Sequence, residues 1–233
     1  MLRNLLIGLV LAGFVFIFYN LYITYEPKTE LTGIAAHYAE KGAVEVGAAN
    51  LVTAVVVTYR GFDTLGEITI LFLTASIIAF FLKLSKADEE KVIVHRGTSE
   101  LLITASQILV PIIFLFGAYV FMNGHLTPGG GFQGGAIIAS GVTLLIMANP
   151  NRQINHDVII WVESISGVSF VLIGVLGIFL AGGFLDNRIL GLGEFGTLFS
   201  AGAIPIIYSF VGLKVGAEIS NIINKYQKSQ KES

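Results

Sequence analysis

"HLTPGGGFQGG", residues 125–135, sets a histidine, a proline and five glycines between two long apolar runs, Thr98–Met122 and Phe132–Ala148. How this stretch is read decides the fold. Gly129, Gly131 and Gly134 satisfy the spacing G-x-G-x-x-G, which in a dinucleotide site follows a strand and opens the helix of a βαβ unit. Here the flanks are apolar and long enough to be membrane helices, so the dinucleotide reading is set aside. The missing G-K-[ST] removes the P-loop reading as well. Two readings remain. In the first, Gly130-xxx-Gly134 and Gly131-xxx-Gly135 let helices approach closely, with Pro128 near a helix start. In the second, the segment is broken or re-entrant and lines a polar cavity, where irregular backbone is tolerated at membrane depth. His125 would then add a group that titrates near neutral pH.

Outward from this stretch the chain has the same character. It has 233 residues, 54% of them hydrophobic and 13% charged, against about 25% charged in soluble domains. Six apolar runs are each long enough to span a bilayer: Leu5–Ile23, Gly66–Leu84, Thr98–Met122, Phe132–Ala148, Val158–Ala181 and Gly196–Ala217. The expected fold is therefore an all-α integral membrane protein with about six transmembrane helices. The N-terminal run is too long for a signal peptide and lacks a small-residue cleavage site, so it is read as the first span. The apolar segment 44–60 is short for a span and is expected to be a lateral helix, in the interface or against other subunits.

Lys/Arg counting sets the orientation. With the N-terminus cytoplasmic, nine basic residues face the cytoplasm: Arg3, Lys83, Lys86, Lys91, Arg96, Arg152, Lys225, Lys228 and Lys231. Four, Lys28, Lys41, Arg60 and Arg188, fall outside. Six spans then leave both termini cytoplasmic and the glycine loop toward the external face. The charged linker 83–96 divides the chain into a front part and a four-span back part, and 221–233 reads as a polar, frayed tail.

Composition excludes several chemistries. There is no cysteine, hence no disulfide, thiolate metal site, iron–sulfur ligation or cysteine nucleophile. His37, His95, His125 and His156 are far apart, without metal-ligand spacing. A net charge of −2 gives no basic stripe for nucleic acid.

Ionisable residues inside or entering spans are the remaining candidates, because burying charge in a bilayer is costly. Asp63 and Glu67 stand at i, i+4, with Arg60 a turn earlier. They can hold a proton or hydrated cation. Equally, Thr64-x-x-Glu67 fits a capping box, with Asp63 paired to Arg60. Glu163, inside the fifth span, is either a proton-path acid or a snorkelling side chain. Lys214 and Glu218 at i, i+4 form a modest helix pair near the end of the sixth span, where Lys214 could sense a proton site. Glu100 and Asp157 fit helix starts, where the dipole favours acids.

"GHLTPGGGFQGGAIIASG", 124–141, resembles the signature of the B subunit of Mrp-type (Mnh-type) multisubunit sodium/proton antiporters. The resemblance covers about residues 92–220. "GAANLVTAVVVTYRGFDTLGEITIL", 47–71, is similar to the C-terminal end of the large A subunit. It is also similar to a segment of the E-type membrane component of archaeal membrane-bound hydrogenases and sulfane sulfur reductases. The implied organisation is an E-like part, 1–91, a B-like part, 92–220, and the tail. The resemblance implies a non-enzymatic subunit of a Na⁺/H⁺ antiporter module in the cell membrane, coupled in respiratory relatives to an oxidoreductase arm. It implies no cofactor in this chain, with Na⁺ and H⁺ as the transported ions. The implied partners are A/D-, C-, D-, F- and G-like antiporter subunits, a hydrogenase-like membrane and peripheral arm, and the lipid bilayer. The expected ion path uses Asp63, Glu67, His125, Glu163 and Lys214. Pro128, Gly129, Gly130, Gly131, Phe132, Gln133, Gly134 and Gly135 would form its structural loop. The alternatives are a non-conducting adaptor that holds the antiporter subunits together, or a subunit of a stand-alone antiporter.

Overall fold

The computed structural model describes residues 2–27, 30–82, 98–150 and 155–229. The linker 83–96 and Lys28, Lys83, Lys86, Lys91, Arg96, Arg152 and Lys231, used above for orientation, lie outside the described residues, as does the 91/92 division. The chain divides into two compact units, Met1–His37 and Tyr38–Ser233. The first holds α1 (Leu2–Thr24). Its few polar groups are satisfied within the helix: Asn20 Nδ2 donates to the Phe16 carbonyl at 2.8 Å and Thr24 Oγ to that of Asn20 at 2.6 Å. Such self-satisfaction suits a helix whose sides meet lipid or other apolar helices.

The other elements are α2 (Ile34–Val46), α3 (Leu51–Thr53) running on as a π-helix over Ala54–Tyr59, α4 (Gly61–Phe81), α5 (Glu100–Met122), α6 (Gly131–Ala148), α7 (His156–Leu180), a 3₁₀ turn (Asn187–Ile189) and α8 (Ile204–Ser229). No strand occurs among the described residues. Among the described residues six helices, α1 and α4 to α8, are long and apolar enough to cross a membrane. The protein is an all-α integral membrane protein. Local signals agree with the helix starts. Ser99 accepts from Leu102 N to open α5, Asn155 accepts from Asp157 N and Val158 N to open α7, and Glu100 and Asp157 lie in the first turns.

Helix α8 is the hub, in contact with α4, α5, α6 and α7. Phe121, Phe170, Ile204, Ile207, Tyr208, Val211 and Val215 make the centre of the buried core. Neighbouring residues fix the directions. Gly131 and Gly135 of α6 meet Val211 and Val215 of α8, so those helices run parallel. Gly117 of α5 meets Gly134 and Ile138 of α6, while Gly141 meets Ile113 and Phe114, so α5 and α6 are antiparallel. Ile77, Ile78, Phe81 and Leu82 of α4 line one apolar cavity with Ile222, Ile223 and Tyr226 of α8. Phe72 lies earlier in α4 and meets Lys214, earlier in α8. These two helices are therefore parallel as well, as alternation through α5, α6 and α7 requires.

Three expectations change. Segment 44–60 is not one lateral helix. It breaks at Gly47–Asn50, and the pieces Ile34–Val46 and Leu51–Tyr59 meet at 94°. Gly47 takes a left-handed φ of 73° and Asn50 restarts the helix as its N-cap, accepting from Val52 N and Thr53 N. Second, the last span begins at Ile204 rather than Gly196. The backbone before it is held instead by Asn187, whose carbonyl accepts from Ala203 N at 3.0 Å and whose side-chain amide donates to Ala201 O at 3.0 Å. Third, α8 continues to Ser229 through most of the segment read as a frayed tail, because Ile222, Ile223 and the buried Asn224 still pack.

Candidate functional site

The glycine loop is built for close packing. A Cβ on Gly134 would fall 2.6 Å from the Gly117 carbonyl of α5, and one on Gly135 would fall 2.6 Å from the Gly212 carbonyl of α8. Helix α6 is thus clamped on two faces by backbones that tolerate no side chain. Phe132 packs on the core, while Gln133 and Pro128 are exposed, the proline three residues ahead of α6. The carbonyls before the glycines do not face open space. Asn50 Nδ2 donates to Gly124 O at 2.8 Å and Thr127 O at 3.0 Å, Asn50 N donates to His125 O at 3.0 Å, and Thr53 Oγ donates to Gly124 O at 2.6 Å. The break in 34–59 therefore supplies the donors that hold the loop.

His125 lies inside this knot, fully buried. Its Nε2 donates to the Thr197 carbonyl at 3.2 Å, which fixes the tautomer and leaves Nδ1 without a hydrogen bond among the described residues. Burial holds the imidazole below its ordinary pKa of 6.5, outweighing the nearby carbonyls of Thr197 and Met122, which favour the charged ring. The sign follows. The unfolded chain binds this proton first, so the contribution of His125 is fully present above pH 6.5 and is lost as pH falls toward the folded value. Thermal unfolding of the purified protein between about pH 5 and 8 should show a loss of stability on acidification that His125→Gln removes.

On α4, Asp63 and Glu67 are both exposed in the chain. Asp63 forms an ion pair with Arg60, as the spacing allowed. The capping box is absent. The helix starts at Gly61, three residues before Thr64, and the buried Thr64 donates its hydroxyl to Val56 O at 2.8 Å. That carbonyl belongs to the π-helical turn, whose widened ladder runs from Arg60 N to Val55 O. Glu67 is left free of any capping duty. Its carboxylate lies within electrostatic range of the Tyr208 phenol of α8, which donates to Thr53 Oγ at 3.1 Å.

Because α8 runs on to Ser229, Lys214 and Glu218 lie in the middle of the helix. Lys214 Nζ sits 3.3 Å from Glu218 Oε1; both side chains are buried, at 8% and 0% exposure. The lysine stem lies against Gly167 of α7, and its ammonium is 5.2 Å from the Phe72 ring centre of α4. Glu163, half-buried on α7, is within electrostatic range of Glu218. The structure thus brings Glu163 within electrostatic range of Glu218, the partner of Lys214, leaves Glu67 a separate position within range of Tyr208, and keeps His125 apart in the loop knot.

At the outer turn, Asp186 is held below the usual carboxylate range. Its burial pushes the other way, but the hydrogen bonds and charge of Arg188 outweigh it.

Residues 101–221 match the family model for a domain related to the MnhB subunit of Na⁺/H⁺ antiporters. The chain belongs to that family. Residues 2–96 match a second model, MbhE, which describes the E-type component of MBH. An uncharacterized protein of Methanocaldococcus jannaschii is 33% identical to this MnhB-related chain over 216 residues, covering 78% of this chain and 82% of that protein. The B component of the Na⁺/H⁺ antiporter of Bacillus subtilis is 36% identical over 88 residues, covering 37% of this chain and 56% of that protein. Among solved structures, a chain of the membrane-bound sulfane sulfur reductase, an archaeal respiratory membrane complex, superposes with a TM-score of 0.83 at 36% identity. That match covers 97% of the MnhB-related chain and 98% of the other.

Sequence reasoning had Lys214 but treated its partner Glu218 as a helix pair at a span's end. Asn50, Thr53, Asn187 and Tyr208 carried no signal at all. They act across the chain; the Asn187 amide reaches Val46 O, 141 residues away in sequence, at 2.8 Å.

Proposed function

We propose that this MnhB-related chain forms one wall of a sodium and proton path in the antiporter-like module of an archaeal respiratory complex in the cell membrane. The observation that carries this reading is Glu67. It lies on the exposed side of a 21-residue apolar helix, two turns from its start, with no capping role. A carboxylate facing lipid at that depth is costly, so its exposed side meets water or the polar surface of a neighbouring protein. The ion path then runs along a boundary between subunits, and this chain supplies one side of it. Na⁺ and H⁺ compete for the carboxylate without a covalent step. The similarity to the sulfane sulfur reductase chain along nearly its whole length favours the respiratory setting and the other membrane subunits of such a complex as partners.

Removing the charge while keeping the shape tests this. Glu67→Gln in the assembled complex should lower Na⁺-dependent proton movement in vesicles more than about tenfold, a barrier change above about 1.4 kcal/mol, at unchanged complex content. Unchanged exchange supports the adaptor reading instead. That reading has its own observation: α1 is exposed along its length, an apolar surface for joining subunits or meeting lipid.

A further inference from the structure

We propose that Glu218, in the middle of α8, is a proton-exchanging site, with Lys214 as its fixed counter-charge and Glu163 as the neighbouring proton station. The inference rests on the ion-path reading above and adds a site inside this chain, away from the boundary where Glu67 lies.

The two oxygens of Glu218 differ. Oε1 is taken by Lys214 Nζ at 3.3 Å, whereas Oε2 is buried and has no hydrogen-bond partner among the described residues. A buried carboxylate oxygen in that state is costly unless a proton or water occupies it. Every element around it narrows the choice. α4 contributes the Phe72 ring beside the ammonium, α7 contributes Gly167 against the lysine stem and the carboxylate of Glu163, and α6 places Gly135 and Ile138 beside Val215 and Gly216. Glu163 is therefore the titratable group that faces the pair from a neighbouring helix.

A dehydrated Na⁺ fits poorly. Hard cations need several oxygens, and here one free oxygen stands close to an ammonium, with no cluster of three acidic or histidine ligands among the described residues. A proton needs only Oε2. In the exchange, the O–H bond at Glu218 Oε2 breaks and one forms on the Glu163 carboxylate, directly or through water. Glu218 is left ionised and neutralised by Lys214; the reverse transfer reloads it. Gly167 has a clear purpose in this scheme, since a Cβ there would press on Lys214 Cδ at 3.3 Å.

The test uses the purified whole complex. Acid-minus-alkaline infrared difference spectra should contain a carboxylic C=O band that Glu218→Gln removes and Glu163→Gln shifts. In vesicles, Glu218→Gln should slow Na⁺-dependent proton movement more than about tenfold at matched complex content. If Glu218→Gln does not assemble, the band shift in Glu163→Gln decides, because Glu163 lies outside the pair. An unshifted spectrum in both variants overturns the proposal. So does normal exchange in Glu218→Gln when Glu67→Gln abolishes it. Normal exchange in both Glu67→Gln and Glu218→Gln overturns the ion-path reading itself.

Discussion

Gly135→Leu should abolish the folded protein. At this position α6 lies directly on the α8 backbone. Even a methyl group would come 2.6 Å from Gly212 O, 2.8 Å from Val215 Cβ and 3.0 Å from Gly216 N. Two of those atoms are backbone, so no rotamer change relieves the contact. Overpacking a tight core by single methylenes costs about 1–3 kcal/mol. An isobutyl group here must separate α6 from the hub helix, and a folded state is worth only about 5–15 kcal/mol in all. Gly191→Ala is the control, because nothing lies within 4 Å of its Cβ position. Assembly of tagged complex, followed by size exclusion, separates the outcomes. The expected result is no intact complex for Gly135→Leu and a normal yield for Gly191→Ala.

Asn187→Leu has the second largest expected effect. The Asn187 side chain is fully buried. It donates to Val46 O and Ala201 O, and its Oδ1 accepts from Thr58 Oγ at 3.4 Å. One amide therefore ties the end of α2, the π-helical turn and the start of α8. Leucine fills much the same space but leaves the Val46 carbonyl without its donor, at about 1–3 kcal/mol for an orphaned buried group, and leaves Ala201 O with Ile204 N alone. Thermal unfolding in detergent should show a large downward shift. Asn187→Asp leaves the volume nearly unchanged and should also destabilise, because the carboxylate offers no donor to either carbonyl.

The spans were legible because a bilayer demands about twenty apolar residues in a row, and the chain supplies them. Their ends were less so. Residues 196–203 are nearly as apolar as the helix that follows, and nothing local says that Asn187 claims their backbone. At the other end, stopping the span at Ala217 placed Lys214 and Glu218 at its edge and hid the buried pair, whereas the helix runs on to Ser229. The Arg60–Asp63 contact was readable because it is local, at i, i+3. The Thr64 cap failed because the helix begins at a backbone break, with no side-chain cap at Arg60 to announce it. The glycines were readable as packing elements from their spacing. What holds their loop, Asn50 and Thr53, was not, since those contacts cross more than 70 residues.

The most direct test of the central claim is the Na⁺ dependence of proton movement in vesicles that hold the whole complex. Wild type is compared with Glu67→Asp and Glu67→Gln at equal complex content. If Glu67 stands on the ion route, Glu67→Asp keeps exchange but shifts the half-saturating Na⁺ concentration, and Glu67→Gln loses exchange. Wild-type rates and an unshifted Na⁺ dependence in both variants would contradict the account and leave the chain a structural joint between conducting subunits.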